Sequence, residues 1–121
     1  MPDSITIEIA EAYCEGVKIL KLRGKLDAST AAAFEGKLDE VLTMEGPNLL
    51  LDFQNLETIS RAGLNVLLSS NKRVRKKRGI IALSAVKNEV LNIFKLSGMF
   101  PLFPFYQDSE EALTNGCFNL P

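Results

Sequence analysis

Two short segments hold the polar residues best placed for chemistry: Gly24-Lys25-Leu26-Asp27-Ala28 and Thr58-Ile59-Ser60-Arg61-Ala62-Gly63-Leu64. Each follows a β-rich run and precedes a helical pattern. In an open α/β sheet the carboxyl ends of strands are where ligands and partners gather, so both segments belong on one edge. A carboxylate (Asp27), a hydroxyl (Ser60) and a guanidinium (Arg61) at that edge can bind a partner or carry a modification. They do not supply a catalytic apparatus. The chain has no histidine, which removes the commonest general base and the commonest metal ligand, and with them any Ser-His or Cys-His nucleophile. Neither G-x-x-x-x-G-K-[ST] nor G-x-G-x-x-G occurs, and the acids lack EF-hand spacing. Cys14 and Cys117 are far apart without a C-x-x-C pair, so they read as ordinary thiols of a reducing cytosol. No catalytic residue, metal or cofactor is assigned, and binding is favoured over catalysis.

The 121 residues fit one domain, taken as 1–121 with a frayed tail from 115. Hydrophobic residues make up 46% and charged residues 24%, a globular balance. No apolar run approaches the roughly 18 residues of a membrane-spanning helix, and Met1-Pro2-Asp3-Ser4 lacks a basic leader, so a cytoplasmic protein without membrane insertion is expected. The net charge of −1 conceals six cations between Lys72 and Arg78 (Lys72, Arg73, Arg75, Lys76, Lys77, Arg78). Setting them aside leaves 8 of the 14 basic residues against 15 acidic ones. The molecule is mildly acidic with one basic corner.

The elements that must position the two segments follow from periodicity. Ile5, Ile7 and Ile9 alternate with Thr6, Glu8 and Ala10 as a half-buried strand, and Glu15-Gly16 turns the chain into a second run, Val17 to Leu22. Gly24 to Asp27 breaks that pattern before a helix capped by Ser29 or Thr30, with Ala31, Phe34, Leu38, Val41 and Leu42 on one face and Gly46-Pro47 at its end. Asn48 to Phe53 contains Leu49-Leu50-Leu51, a strand covered on both faces, with Asp52 as a turn-former near its end. Ser60 caps a second helix that buries Leu64, Leu67, Leu68 and Val74 and stops at Gly79. Ile80 to Leu83 is the next buried strand. Val86, Val90, Ile93 and Phe94 mark a third helix closed at Ser97-Gly98. Phe103 to Tyr106 reads as an edge strand because of Pro104, and Ser109 to Leu113 as a short terminal helix. The order β-β-α-β-α-β-α-β-α predicts an α/β fold: a mixed, mostly parallel sheet with an N-terminal antiparallel hairpin and about four helices.

With those pieces in order, the chain resembles the STAS domain family, specifically its free-standing anti-sigma factor antagonists. The resemblance rests on Gly24-x-Leu26-Asp27-Ala28, Leu50-Leu51-Asp52-Phe53, Ile59-Ser60-Arg61-Ala62-Gly63-Leu64-x-Val66-Leu67-Leu68, Ile93-Phe94-Lys95-Leu96-Ser97-Gly98 and Phe103-x-Phe105-Tyr106-x-Asp108-Ser109-Glu110-Glu111-Ala112-Leu113. It implies a STAS-like fold and a module for partner switching in transcription. In that family a serine at the start of the second helix is phosphorylated by an anti-sigma factor that is a serine kinase, and the unphosphorylated form binds that partner. Alignment on Gly63-Leu64 puts Arg61 at the phosphoacceptor position, and Ser60 at the preceding one. A serine kinase cannot phosphorylate arginine.

Two readings of Ser60 follow, a displaced phosphoacceptor or a plain helix cap. Arg61 either faces an acid on the partner or is a tolerated surface cation. Asp27 either helps shape the docking surface, as the resemblance implies, or only starts the first helix. The docking surface is expected over Asp27, Ala28, Ser29, Thr30, Thr58, Ile59, Ala62, Gly63, Leu64, Asn65 and Ser69, with Ser60 and Arg61 as its regulatory position. The partner expected is an anti-sigma factor of serine-kinase type, and the oligomeric state stays open. The basic cluster lies in the last turns of a helix, where cations complement the dipole, and no aromatic stacking residues accompany it, so nucleic acid is disfavoured. The rival from another class is a small-ligand or nucleotide-sensing STAS domain, or a subunit of a membrane-associated complex. Met99 to Phe103, an apolar stretch, either covers the sheet edge or belongs to an interface.

Overall fold

The computed structural model describes residues 7–14, 16–44 and 48–115. Its elements in order are β1 (Ile7–Cys14), β2 (Val17–Leu26), α1 (Ala31–Met44), β3 (Asn48–Ile59), α2 (Arg61–Lys76), β4 (Ile80–Ser84), α3 (Asn88–Leu96), a 3-10 turn over Phe100–Leu102, β5 (Phe105–Tyr106) and α4 (Ser109–Asn115). The strands form one sheet in the order β1-β2-β3-β4-β5. β1 and β2 are antiparallel and every other pair is parallel, as the pattern of elements predicts. Ile5, Glu15, Gly46-Pro47, Cys117 and the tail beyond Asn115 lie outside the described residues.

Strand alternation explains the layering. Leu20 and Leu22 of β2, Leu49, Leu51 and Phe53 of β3, and Ile81 and Leu83 of β4 face one side, where they pack with Phe34 and Leu38 of α1, Leu64 and Leu67 of α2, and Val90 and Phe94 of α3. The intervening residues Val17, Ile19, Leu50 and Ala82 face the other side, against Ala112 of α4. The triplet Leu49-Leu50-Leu51 is therefore buried on both faces, as its continuous apolar run requires. The predicted inward face of α1 holds at Phe34, Leu38, Val41 and Leu42, with Ala31 half-buried.

Two boundaries differ from the sequence reading. β2 does not break at Gly24 but continues to Leu26. Gly24 instead sits at a register irregularity with φ +111°, the bulge that a glycine inside a strand permits. β3 likewise continues past Phe53 to Ile59. Asp52 is accordingly mid-strand and buried, 8% exposed, instead of forming a turn. Its carboxylate accepts from the Gln54 backbone N–H at 2.9 Å and from the Ser109 hydroxyl of α4 at 3.2 Å. The polar partner that makes a buried carboxylate tolerable comes from 57 residues away, out of reach of a local pattern. The apolar stretch at 99–103 divides: Met99 and Phe103 are buried, whereas Phe100 and Leu102 stay partly exposed. Phe103 and Phe105 both pack edge-on against Phe94.

The start of α2 comes close to the sheet. A Cβ on Gly63 would lie 2.7 Å from Leu26 Cγ and 2.9 Å from Ile59 Cγ1, both on buried side chains. The helix rests on the last residues of β2 and β3 at a distance that only glycine allows. Gly63→Ala is expected to destabilise the fold by about 1–3 kcal/mol through overpacking. Urea unfolding with an unchanged midpoint would refute the close contact.

At the far edge Glu11 of β1 accepts from Lys18 of β2 at 2.9 Å and from Lys37 of α1 at 2.6 Å. These two ammonium groups, Lys37 first, hold the Glu11 carboxyl down at about 2 from an ordinary 4.5. A carboxyl depressed in the folded state stabilises above its unfolded value, and that contribution is lost as pH falls through the folded one. Stability should therefore decline between pH 4.5 and about 2. Glu11→Gln should flatten that slope, measured as unfolding midpoint against pH.

Candidate functional site

The two polar segments are joined by backbone pairing. Lys25 pairs with Thr58 and Leu26 with Ile59 in the parallel ladder, and the Ser60 N–H then donates to the Leu26 carbonyl at 2.8 Å. The end of β2 and the start of α2 thus form one continuous edge, as expected of strand carboxyl ends.

On the β2 side the loop before α1 is fixed by side chains. The Ser29 hydroxyl and backbone N–H donate to Asp27 Oδ1 at 2.6 and 3.0 Å. Those bonds, the hydroxyl's above all, hold the Asp27 carboxyl below its ordinary range, so it is an anion at neutral pH. Thr30 precedes α1, and its carbonyl accepts from the Phe34 N–H. Its hydroxyl does not cap the helix but turns back, donating to the Lys25 carbonyl at 2.8 Å and accepting from the Asp27 N–H at 2.9 Å. Thr30 is buried, so it shapes the loop from beneath while Ala28 and Ser29 stand exposed.

On the α2 side Ser60 is extended (φ −100°, ψ 176°), and its hydroxyl accepts from the Gly63 N–H at 3.5 Å, the geometry of a helix cap. Arg61, the first helical residue, is exposed and has no ion-pair partner among the described residues. Asn65 and Ser69 follow at four-residue intervals and share its outward ridge, both exposed. Thr58 and Ala62 are half-buried. Ile59, Gly63 and Leu64 are buried and support the edge from below. The structure therefore gathers Asp27, Ala28, Ser29, Ser60 and Arg61 on one edge and runs Asn65 and Ser69 away from it along α2.

One neighbour escaped the sequence reading. Beside Arg61 a groove of about 630 Å³ opens between α2 and α3, and Ile93, Leu96, Ser97 and Met99 line its far side. Leu96 is the telltale: it falls off the buried face set by Val90 and Phe94 and is 89% exposed.

The basic corner sits at the opposite end of α2, where Arg73, Arg75 and Lys76 occupy the last turn and complement the helix dipole. Arg73 is paired with Asp39 of α1. Among the described residues no group of three or more His, Cys, Asp or Glu side chains is arranged to hold a metal, and no helix is long and apolar enough to cross a membrane.

Comparison with known proteins agrees with this architecture. The STAS domain profile matches residues 11–112. The anti-sigma-F factor antagonist RsfB of Mycobacterium tuberculosis is 29% identical over 117 residues, 95% of this chain and 94% of that protein. The anti-sigma F factor antagonist of Paenibacillus polymyxa is 29% identical over 111 residues, 91% of this chain and 95% of that one. A crystal structure of an anti-sigma factor antagonist from Mycobacterium paratuberculosis superposes with a TM-score of 0.81 at 26% identity, covering 90% of this chain and 92% of that chain. With the sheet order, the parallel β2–β3 edge and the profile match over most of its length, the chain belongs to the STAS domain family, where its relatives include anti-sigma factor antagonists.

Proposed function

We propose that this protein is an anti-sigma factor antagonist that docks to a cytoplasmic anti-sigma factor of serine-kinase type through the edge formed by Asp27 to Ser29 and Ser60 to Arg61, continued by Asn65 and Ser69. The observation that carries the reading is the Ser60-to-Leu26 hydrogen bond, which makes one surface of two loops at the position where the family's partner contact is expected. The names of its relatives support the same function.

In this reading the regulatory position carries Arg61 in place of a serine. A phosphoserine there would bring a charge of about −1.5 to −2, which weakens docking unless a cation faces it. Arginine has the opposite sign and cannot be phosphorylated by a serine kinase, so the surface stays in its binding form and meets an acid on the partner. Ser60 serves as the helix cap, its hydroxyl engaged with the Gly63 N–H.

The test is calorimetry and intact-mass spectrometry with the anti-sigma factor of the same genome and ATP. Wild type is expected to bind without gaining mass, and Arg61→Glu to weaken binding about tenfold or more through like-charge repulsion. Wild-type affinity in Arg61→Glu would overturn the surface. A gain of about 80 Da, one phosphoryl group, abolished in Ser60→Ala would show instead that the switch persists one residue early.

A further inference from the structure

The groove between α2 and α3 has the chemistry of an amphiphile's complement. Leu64 and Leu68 of α2 and Ile93 and Leu96 of α3 line it, together with Met99. Its polar lining is confined to Asn65, Ser97 and Arg61. No carboxylate lines it, so the guanidinium at its rim is an uncompensated cation beside apolar walls.

The fold holds these walls in place. α3 ends in a double-bonded cap: the Gly98 N–H donates to the Lys95 carbonyl at 3.2 Å and the Met99 N–H to the Phe94 carbonyl at 3.0 Å, with Gly98 at φ +79°. That reversal turns Met99 back under the helix, where it is buried, and leaves Leu96 standing over the groove, 89% exposed. Across from it, α2 is anchored at Gly63 against Leu26 and Ile59. Both rims are therefore preformed. Five apolar side chains, one cation and two neutral polar groups line an open groove of about 630 Å³, within the size range of ligand sites.

We infer that this groove binds a medium-chain fatty carboxylate, the head group paired with Arg61 and the chain lying between Leu64, Leu68, Ile93 and Leu96. A single guanidinium suits a carboxylate, which it meets with two parallel N–H donors, better than a phosphate dianion that would need further cations. The chain would cover Leu96 and remove its exposed apolar surface from water. Arg61 also belongs to the proposed docking edge, so the ligand would compete with the anti-sigma factor. That consequence rests on the docking reading, whereas the binding itself does not.

The experiment uses the full chain alone, titrated with dodecanoate below its micelle-forming concentration and followed by calorimetry and ¹H–¹⁵N correlation spectra. Saturable one-to-one binding is expected, with shifts at Leu68, Ile93, Leu96 and Met99. Decanoate, two methylenes shorter, should bind about tenfold more weakly, and Arg61→Gln should cost a further tenfold or more. Leu96→Asp, at a position 89% exposed, should abolish binding while still unfolding cooperatively, at a midpoint lowered only slightly by an anion at the helix's C-terminal end. Dodecyltrimethylammonium, the same chain with a cationic head, should not bind. Absence of saturable dodecanoate binding overturns the proposal, as does equal affinity for the cationic amphiphile. If dodecanoate fails while Leu96→Asp weakens the anti-sigma factor complex, the groove is a protein contact and the ligand reading falls with the docking reading intact. If dodecanoate binds as described but no anti-sigma factor complex forms, the docking reading falls alone.

Discussion

A side chain's first carbon at position 63 has no room, with Leu26 Cγ at 2.7 Å and Ile59 Cγ1 at 2.9 Å, and most of what the candidate site contains depends on that absence. α2 can begin directly on the ends of β2 and β3 because its third residue is glycine. The Ser60 N–H then reaches the Leu26 carbonyl, and the loop held by Asp27, Ser29 and Thr30 shares an edge with the helix start. The same contact sets the wall of the groove toward α3, since Leu64 follows Gly63 and lines it. A helix lifted by even the width of a methyl group would separate the two polar segments and widen the groove together.

Charge is distributed along α2 in two unequal parts. At its C-terminal end Arg73, Arg75 and Lys76 sit where the dipole is negative, and Arg73 has the further partner Asp39. These cations are accounted for within the fold. Arg61 is at the positive end, where a cation costs a few tenths of a kcal/mol, and has no ion-pair partner among the described residues. Of the cations on this helix it is the one whose placement the domain's own electrostatics oppose. The cost is small, yet its sign fits a residue facing outward to an anion instead of inward to the fold.

Sequence pattern was enough for the element order, the antiparallel hairpin, the doubly covered Leu49-Leu50-Leu51 strand and the shared edge of Asp27 and Ser60, because each is written in local periodicity or in strand-to-helix order. It failed where long-range pairing overrides the local signal. Gly24 reads as a breaker, but pairing with β3 carries β2 through it as a bulge. Asp52 reads as a turn residue, but Ser109 and the Gln54 N–H satisfy it mid-strand. Thr30 reads as a cap, yet its hydroxyl is taken by Lys25 and Asp27. At the site, Ser60 and Arg61 are legible by position. The groove is not, because it opens only once α2 and α3 are both packed against β3, which puts Arg61 on one lining with Leu96, Ser97 and Met99.

The division between what holds the edge together and what stands on it bears on how such a module can change its regulation. Gly63, Leu26, Ile59 and Thr30 are buried and fixed by packing or backbone bonds, so substitution there strains the fold. Arg61 projects from the first turn, without an ion pair to the domain, and its side chain can be exchanged at little cost to stability. The cap that the first turn requires comes from Ser60, one residue earlier. A serine at position 61 is therefore not needed to build this helix, and under the proposed function Arg61 leaves the edge standing while carrying the opposite sign to a phosphate. In that proposal scaffold and switch are separable, because the backbone builds the first and one exposed side chain would set the second.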